Sequence, residues 1–301
     1  MSIKIVRCAP ARFDQLAAFA AEHNPSPEHH IGYLGLTPED VRATLRMIHL
    51  RLDRGFRLAL AGNRLIGALG ADIDKELGRA WLYGPIVVEG EWATTADALY
   101  AALSPSLPAA IVEHEMFVDA RNTHARDFAA RHGFEQLGEW AIYFITPDRL
   151  APLPAAEAGE WDDRYHGQLE ALHNRLFPSS NYTMSYITGG QDEHTVLLIA
   201  AEGDALLGYF FGRYEPESGE GYVDLVGVDE SRRRTGLGRR LMLAGLDRLR
   251  RAPGLRQVNL SVAAGNDAAM ALYDALGFAR ERDMVAFRKR VNRDDPVGRM
   301  S

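Results

Sequence analysis

Hydrophobic and polar positions along the chain switch between helical and strand periods, and the order of switching occurs twice. In the second half, apolar residues at helical spacing (Leu169, Leu172, Leu176) predict a helix over residues 163–176. Val196–Ala201 and Leu206–Arg213 read as two strands joined at the turn Glu202-Gly203-Asp204. A third strand is expected over Tyr222–Val228. A helix from about Leu237 to Arg250 follows, with Leu241, Leu243, Leu246 and Leu249 roughly on one face. Then come a strand, Gln257–Val262, and a helix, Asp267–Leu276, with Asn266 placed to cap its start and Gly277 to end it. A last strand covers Met284–Arg288. The first half follows the same order from Ile3 to Phe144. The fold class is α/β with a mixed sheet in each half.

Landmarks in the two halves correspond at nearly constant spacing. Asn122-Thr-His-Ala125 leading to Gly133-Phe134 matches Asn266-Asp-Ala-Ala269 leading to Gly277-Phe278, 144 residues later. The hairpin Arg57–Gly67 matches Leu197–Gly208, with closing glycines 141 apart, and the strands ending at Val88 and Val228 are 140 apart. So small a drift over four landmarks identifies a duplication. Pro147, Pro152, Pro154 and a run of small residues place the boundary in residues 147–160. The expected domains are therefore 1–146 and 161–301.

Bulk properties narrow the function classes. A length of 301 residues is ample for two domains with cores of their own. A net charge of -7 argues against nucleic acid as a partner. Cys8 is the only cysteine, so an internal disulfide and a thiolate metal cage are both ruled out. The histidines His23, His29 and His30, and the group Asp162, Asp163 and His166, lack the spacing of a metal site, so no metal is expected. No apolar run is long enough to span a membrane, and the first ten residues lack the features of a secretory signal. A cytoplasmic protein with no membrane partner is the expectation.

The chemistry concentrates in Val228-Asp-Glu-Ser-Arg-Arg233-Arg234-Thr235-Gly236-Leu237-Gly238-Arg239, between a strand and an amphipathic helix. Glycines let the backbone turn its N–H groups toward an anion at a helix start, where the dipole also favours negative charge. Flanking arginines add charge-assisted hydrogen bonds. No Gly-Lys-Ser/Thr follows, so this is not a nucleotide P-loop. Arg233-x-x-Gly236-x-Gly238 resembles the pyrophosphate motif of GNAT N-acetyltransferases. The later Asn266, Ala269, Leu272, Tyr273, Gly277 and Phe278 resemble the second motif of that family.

The resemblance implies two tandem GNAT folds, each a mixed, splayed central sheet flanked by helices. It implies acetyl-CoA as cosubstrate and direct attack by an amine on the thioester. Strands at Val228 and Ser261 would grip the pantetheine arm, with main chain of Val226 and Val228 pairing to its amides. Arg233, Arg234, Thr235, Gly236, Leu237, Gly238 and Arg239 would hold the pyrophosphate. Asn266 would touch the cofactor arm, and Tyr273 would protonate the departing thiolate. Asp224, four residues before Val228, is the first candidate for the base, ahead of Glu220 and Tyr222; water is the alternative. Phe177, Asn181 and Tyr182 either line the acceptor pocket or close a helix.

The first half departs from this pattern. After Val88 it reads Glu89-Gly-Glu91-Trp92, with carboxylates that would repel pyrophosphate, and Ala129 stands at the tyrosine position. Domain 1–146 is thus expected to be a degenerate, non-catalytic copy. The expected activity is acetyl transfer to a primary amine of a small molecule or peptide. The alternatives are a CoA-binding sensor or scaffold without turnover, or transfer of a different acyl group. Oligomeric state is left open.

Overall fold

A computed structural model of the chain describes residues 3–291, apart from 151–153, 155, 157, 179, 181, 190 and 191. It divides into two compact units. One runs to Trp140 and resumes at Asp283; the other is Ala141–Arg282.

The first unit opens with strand β1 (Ile3–Arg7) and helices α1 (Phe13–His23), α2 (Pro38–Met47) and α3 (Leu52–Gly55). Thr37 starts α2 with a capping box, its side chain accepting from the Asp40 N–H while Asp40 accepts from the Thr37 N–H. Then come β2 (Phe56–Ala61), β3 (Arg64–Asp74), β4 (Arg79–Val87), α4 (Trp92–Leu103), β5 (Glu113–Asp119), α5 (Thr123–Arg131) and β6 (Glu135–Ile145). Strands β1 to β4 pair antiparallel in sequence, and β4 pairs parallel with β5. Leu58, Leu69, Leu82, Leu99, Val118 and Phe128 are fully buried between the sheet and its helices.

The second unit continues with the short helix α6 (Pro147–Leu150), β7 (Gly159–Glu160), α7 (His166–Leu176) and α8 (Met184–Gly189). Next are β8 (Thr195–Glu202), β9 (Ala205–Glu215), β10 (Glu220–Val228), α9 (Leu237–Leu249), β11 (Gln257–Ala263), α10 (Asp267–Ala275) and β12 (Ala279–Arg290). Its strand order is β6-β11-β10-β9-β8-β7. One face of the sheet carries Phe210, Val223, Leu241 and Leu246, and the other carries Leu169, Tyr209, Phe211 and Leu225. Each helix of the repeat sits where the periodicity places it, and the Asn266 side chain caps α10.

The ends of the two halves are exchanged, which the sequence reading did not anticipate. From Asp283 onward β12 belongs to the first unit, where Met284–Arg290 pair antiparallel with Glu113–Asp119. From Ala141 onward β6 belongs to the second unit, where Ala141, Tyr143 and Ile145 enter the core beside Leu260 and Phe278. The expected cut at residues 147–160 is therefore replaced by divisions at Trp140/Ala141 and Arg282/Asp283. Within that expected linker, residues 151–153, 155 and 157 lie outside the described residues, α6 is helical, and β7 pairs with β8.

Candidate active site

The site is built where two parallel strands part. β10 pairs with β11 only from Glu220/Gln257 to Val223/Leu260. Beyond that point β10 follows β9 alone, with a bulge between Val223 and Leu225 that leaves Asp224 without an opposite residue. The edge of β10 at Val226 and Val228 thus faces the gap, as does β11 near the exposed Ser261. Backbone groups on such an edge offer an extended ligand the same hydrogen bonds that a strand would make.

At the end of β10 the chain makes one 3-10 turn, Glu230–Arg232, held by Asp229, whose side chain accepts from the Ser231 N–H at 3.0 Å. Arg234 (φ 61) and Gly236 (φ 85) are then both left-handed, and Gly236 is the cap of α9. Arg234 is the only non-glycine residue with positive φ among the described residues. This twist leads into α9, whose leading N–H groups, Leu237 to Arg239, come ahead of the bond from the Arg240 N–H to the Gly236 carbonyl. Donors left free in a row at a helix start form an anion cradle. Gly238 lies beside Val228, whose Cγ2 is 3.6 Å from the place of an added Cβ, an ordinary contact distance. Thr235 turns its hydroxyl inward and donates to the Arg232 carbonyl at 2.7 Å. Arg232 is paired with Glu202 and Arg233 lies 3.5 Å from Glu230, whereas Arg234 and Arg239 are exposed with no ion pair among the described residues.

Tyr273 lies on α10 with its ring 6.0 Å from that of Tyr143 and 5.9 Å from that of Phe278. Its hydroxyl has no hydrogen-bond partner among the described residues. Burial pushes this phenol up to about 12, so it stays protonated through the ordinary pH range. That is the state an acid needs. Asn266 is exposed, its Oδ1 accepting from the Ala269 N–H at 3.3 Å.

Asp224 is not a solvated surface acid. Its side chain is 6% exposed; Oδ1 accepts from the Tyr182 hydroxyl at 2.7 Å and Oδ2 from Arg213 Nε at 3.1 Å. Arg213 also pairs with Glu215 and lies 4.4 Å over the Tyr222 ring. The alternative acids are engaged too: Tyr222 donates to Glu220 Oε2 at 2.5 Å, and Gln257 donates to Glu220 Oε1 at 3.2 Å. Sequence reasoning missed Arg213, although a single arginine inside the apolar run of β9, opposite Tyr222, is a signal that could have found it. In the covering loop, Phe177 stays beside the buried His173, with ring centroids 5.6 Å apart, while Tyr182 reaches the sheet. Asn181 lies outside the described residues.

The corresponding place in the first unit is closed. β4 pairs with β5 only over Arg79–Trp81, so these strands part as well. Here, however, Ile31 bridges Val118, the Gly32 N–H donates to Phe117 at 2.8 Å and the Asp119 N–H to His30 at 3.2 Å. Strand β12 already occupies the opposite edge of β5, so residues 30–32 fill the gap itself. Asn24, fully buried, fixes them: its Oδ1 accepts from the Ile31 N–H at 2.7 Å and its Nδ2 donates to Leu34 and Gly35. The register sets Val87 opposite Gly67 and Val228 opposite Gly208, which places the end of the first strand at Val87, one residue earlier than expected. Pro85 then stands where Val226 does and has no N–H to offer. Tyr83, opposite Gly70, answers to Leu225, opposite Phe211, so no residue of β4 matches the bulged Asp224. At the start of α4, Glu89 is paired with Arg64, and Trp92 stacks on His124 at 5.1 Å.

Of the histidines and acids weighed as metal ligands, His23 and His29 have ring centroids 5.9 Å apart, and His30, Asp162 and Asp163 are engaged elsewhere. His30 Nδ1 faces the Asn24 carbonyl at 2.8 Å, Asp162 caps a turn at Arg164, and Asp163 accepts from Trp161. Among the described residues no group of three or more His, Cys, Asp or Glu is arranged to hold a metal ion, and no helix is long and apolar enough to cross a membrane.

The family described as acetyltransferase (GNAT) matches residues 158–278. A mycothiol acetyltransferase from Thermobispora bispora is 42% identical over 179 residues, which covers 52% of this chain and 60% of the relative. Another from Kocuria rhizophila is 44% identical over 89 residues, covering 28% of this chain and 29% of the relative. The matches thus span between under a third and 60% of these relatives' length. Among solved structures, a GCN5-related N-acetyltransferase from Sphaerobacter thermophilus superposes with a TM-score of 0.67 at 17% identity, over 96% of this chain and 95% of its own. A tandem GNAT protein from the clavulanic acid biosynthesis pathway gives 0.65 at 19% identity, over 98% and 100%. These two share the fold. By its second unit, the chain carries an acetyltransferase domain of the GNAT family.

Proposed function

We propose that the chain is an N-acetyltransferase that moves acetyl from acetyl-CoA to a primary amine of a small molecule, with chemistry in the second unit and none in the first. The observation that carries this reading is the row of N–H donors in the first turn of α9, presented by the left-handed Arg234 and Gly236 beyond the end of the parting strand β10. The pyrophosphate is held by these donors, with Arg233, Arg234 and Arg239 around it. Main chain at Val226 and Val228 takes the pantetheine amides, and Asn266 stands beside the arm. Tyr273, protonated and without a protein partner, gives its proton to the sulfur as the thioester bond breaks.

The proton count fixes what else is needed. An acceptor arriving as an ammonium loses two N–H protons on becoming an amide. One ends on the thiol by way of Tyr273, and the other must leave through a base. Asp224 is the carboxylate at the bulge beside the gap, and this reading assigns it that role. The relatives' name, mycothiol acetyltransferase, favours a small-molecule acceptor over a protein one. The test is thiol release from acetyl-CoA against a panel of deacetylated mycothiol, glucosamine and a tripeptide with a free N-terminus. Acetylated product with at least one of them supports the reading. Tight acetyl-CoA binding with no product from any amine points to a CoA-binding protein without turnover.

A further inference from the structure

Asp224 cannot be approached freely. Its carboxylate lies almost wholly inside the protein, with Arg213 on one oxygen and the Tyr182 phenol on the other. Tyr182 itself is only partly covered. It is held in place along its length: its N–H donates to Ser180 Oγ at 3.0 Å, and its main chain is bonded to the buried ring of His173. The His173 Nδ1 is in turn 2.8 Å from the Tyr209 hydroxyl. The Tyr182 ring packs against Phe211 at 6.1 Å and against the half-exposed Tyr186 at 5.5 Å. A phenol that donates to a carboxylate keeps lone pairs on its oxygen, and these accept from an ammonium N–H. Two aromatic rings beside a buried carboxylate also favour a cation over a neutral ligand.

We propose, resting on the acetyltransferase reading above, that Tyr182 is a catalytic residue through which the acceptor ammonium delivers its proton to Asp224. One N–H bond of the ammonium breaks and its proton forms a new O–H bond on Tyr182. The former phenol proton passes to Asp224 Oδ1, and the nitrogen lone pair is freed for attack. Tyr182 ends as it began, and Asp224 later loses the proton to solvent. The phenolate never accumulates, in keeping with a phenol held well above its ordinary range by burial and then by the charge of Asp224. The charged and titratable groups around the relay are Arg213 and Glu215 on β9, Glu220 and Tyr222 on β10, Tyr186 on α8 and Asp192 in the following loop. Arg213 is a positioning residue that keeps Asp224 aimed at Tyr182. In the first unit no residue of β4 matches Asp224, and the Tyr33 hydroxyl donates instead to Glu115 on β5 at 3.1 Å.

The experiment compares kcat/KM against pH for the full chain, Tyr182→Phe and Asp224→Asn, with deacetylated mycothiol or the best amine of the panel as acceptor. Wild-type product formation establishes the acetyltransferase reading separately; a wild type that binds acetyl-CoA and acetylates nothing overturns that reading and this inference together. With turnover in hand, wild type is expected to hold its rate below the acceptor's own pKa. Both variants should fall about tenfold per pH unit there, tracking the free-amine fraction, and recover above it. The double variant should be no slower than either single one. A proton inventory on the wild type in mixed H2O and D2O needs no variant to fold, and is expected to curve as two transferred protons require. A linear inventory, or a Tyr182→Phe profile lowered equally at every pH or not at all, overturns the relay while leaving the acetyltransferase intact.

Discussion

The two units of this chain hold the same notch in opposite conditions. In each, a long strand parts from its parallel neighbour after three or four residue pairs. In the second unit the gap stays open and the first turn of α9 follows the end of β10. In the first, His30–Gly32 fills the gap as an extra strand segment, Pro85 removes a donor, and Glu89 and Glu91 stand where arginines and glycine would hold an anion. A fold duplicated in one chain therefore separates what the sheet needs from what a ligand needs. Parting strands survive in the first unit because its own chain satisfies the exposed edge.

The sharpest way to break this comparison is at the cradle. Gly236→Asp combined with Arg233→Glu strains a left-handed position and puts carboxylates where phosphate binds, making the second unit resemble the first. Acetyl-CoA affinity should fall by about 10²-fold or more, measured by calorimetry, with the unfolding midpoint moving little. Binding that survives the pair would remove the cradle from the account. Next in size is Tyr273→Phe, expected to lower kcat by about 10- to 10³-fold with little change in acetyl-CoA KM. Because Tyr273 is pushed up to about 12, wild type should show no loss of the acid between pH 6 and about 10. Full turnover in the variant, with chemistry rate-limiting, would reduce Tyr273 to packing.

The first unit offers the mirror tests. Asn24→Ala leaves the Ile31 N–H and the Leu34 carbonyl without their partner in a dry site, and should cost about 2–4 kcal/mol in denaturant unfolding. Acetyl-CoA affinity and kcat should not move. A smaller contrast separates the paired caps. Asn122 is buried and Asn266 exposed, though both side chains cap their helices. Asn266→Ala should cost only about 0.5–1 kcal/mol but weaken acetyl-CoA several-fold, whereas Asn122→Ala should cost more stability and no affinity. Equal effects on affinity would erase the distinction between the units.

Much of this was legible in the residues. Near-constant offsets between the hairpins and between the Asn-capped helices disclose the duplication, because periodicity and caps are local properties. Arg233-x-x-Gly236-x-Gly238 points to the cradle because left-handed backbone favours glycine, although the positive φ of Arg234 itself carries no such mark. The exchange of β6 and β12 was not legible. Alternation along Ala141–Ile145 or the apolar run Met284–Phe287 states that a strand is buried, not whose edge it completes. Residues 30–32 read as loop, since only the unpaired edge of β5 makes them strand-like. Asp224 was visible as an acid in an apolar strand, but its partners come from 11 and 42 residues away and follow from register alone.

The most direct test of the account is the number of acetyl-CoA molecules bound per chain. Calorimetric titration of the full chain should give one site, and that site should vanish in Gly236→Asp/Arg233→Glu while persisting in Glu89→Ala/Glu91→Ala. Two equivalent sites, or a single site lost only when the first unit is altered, would contradict it.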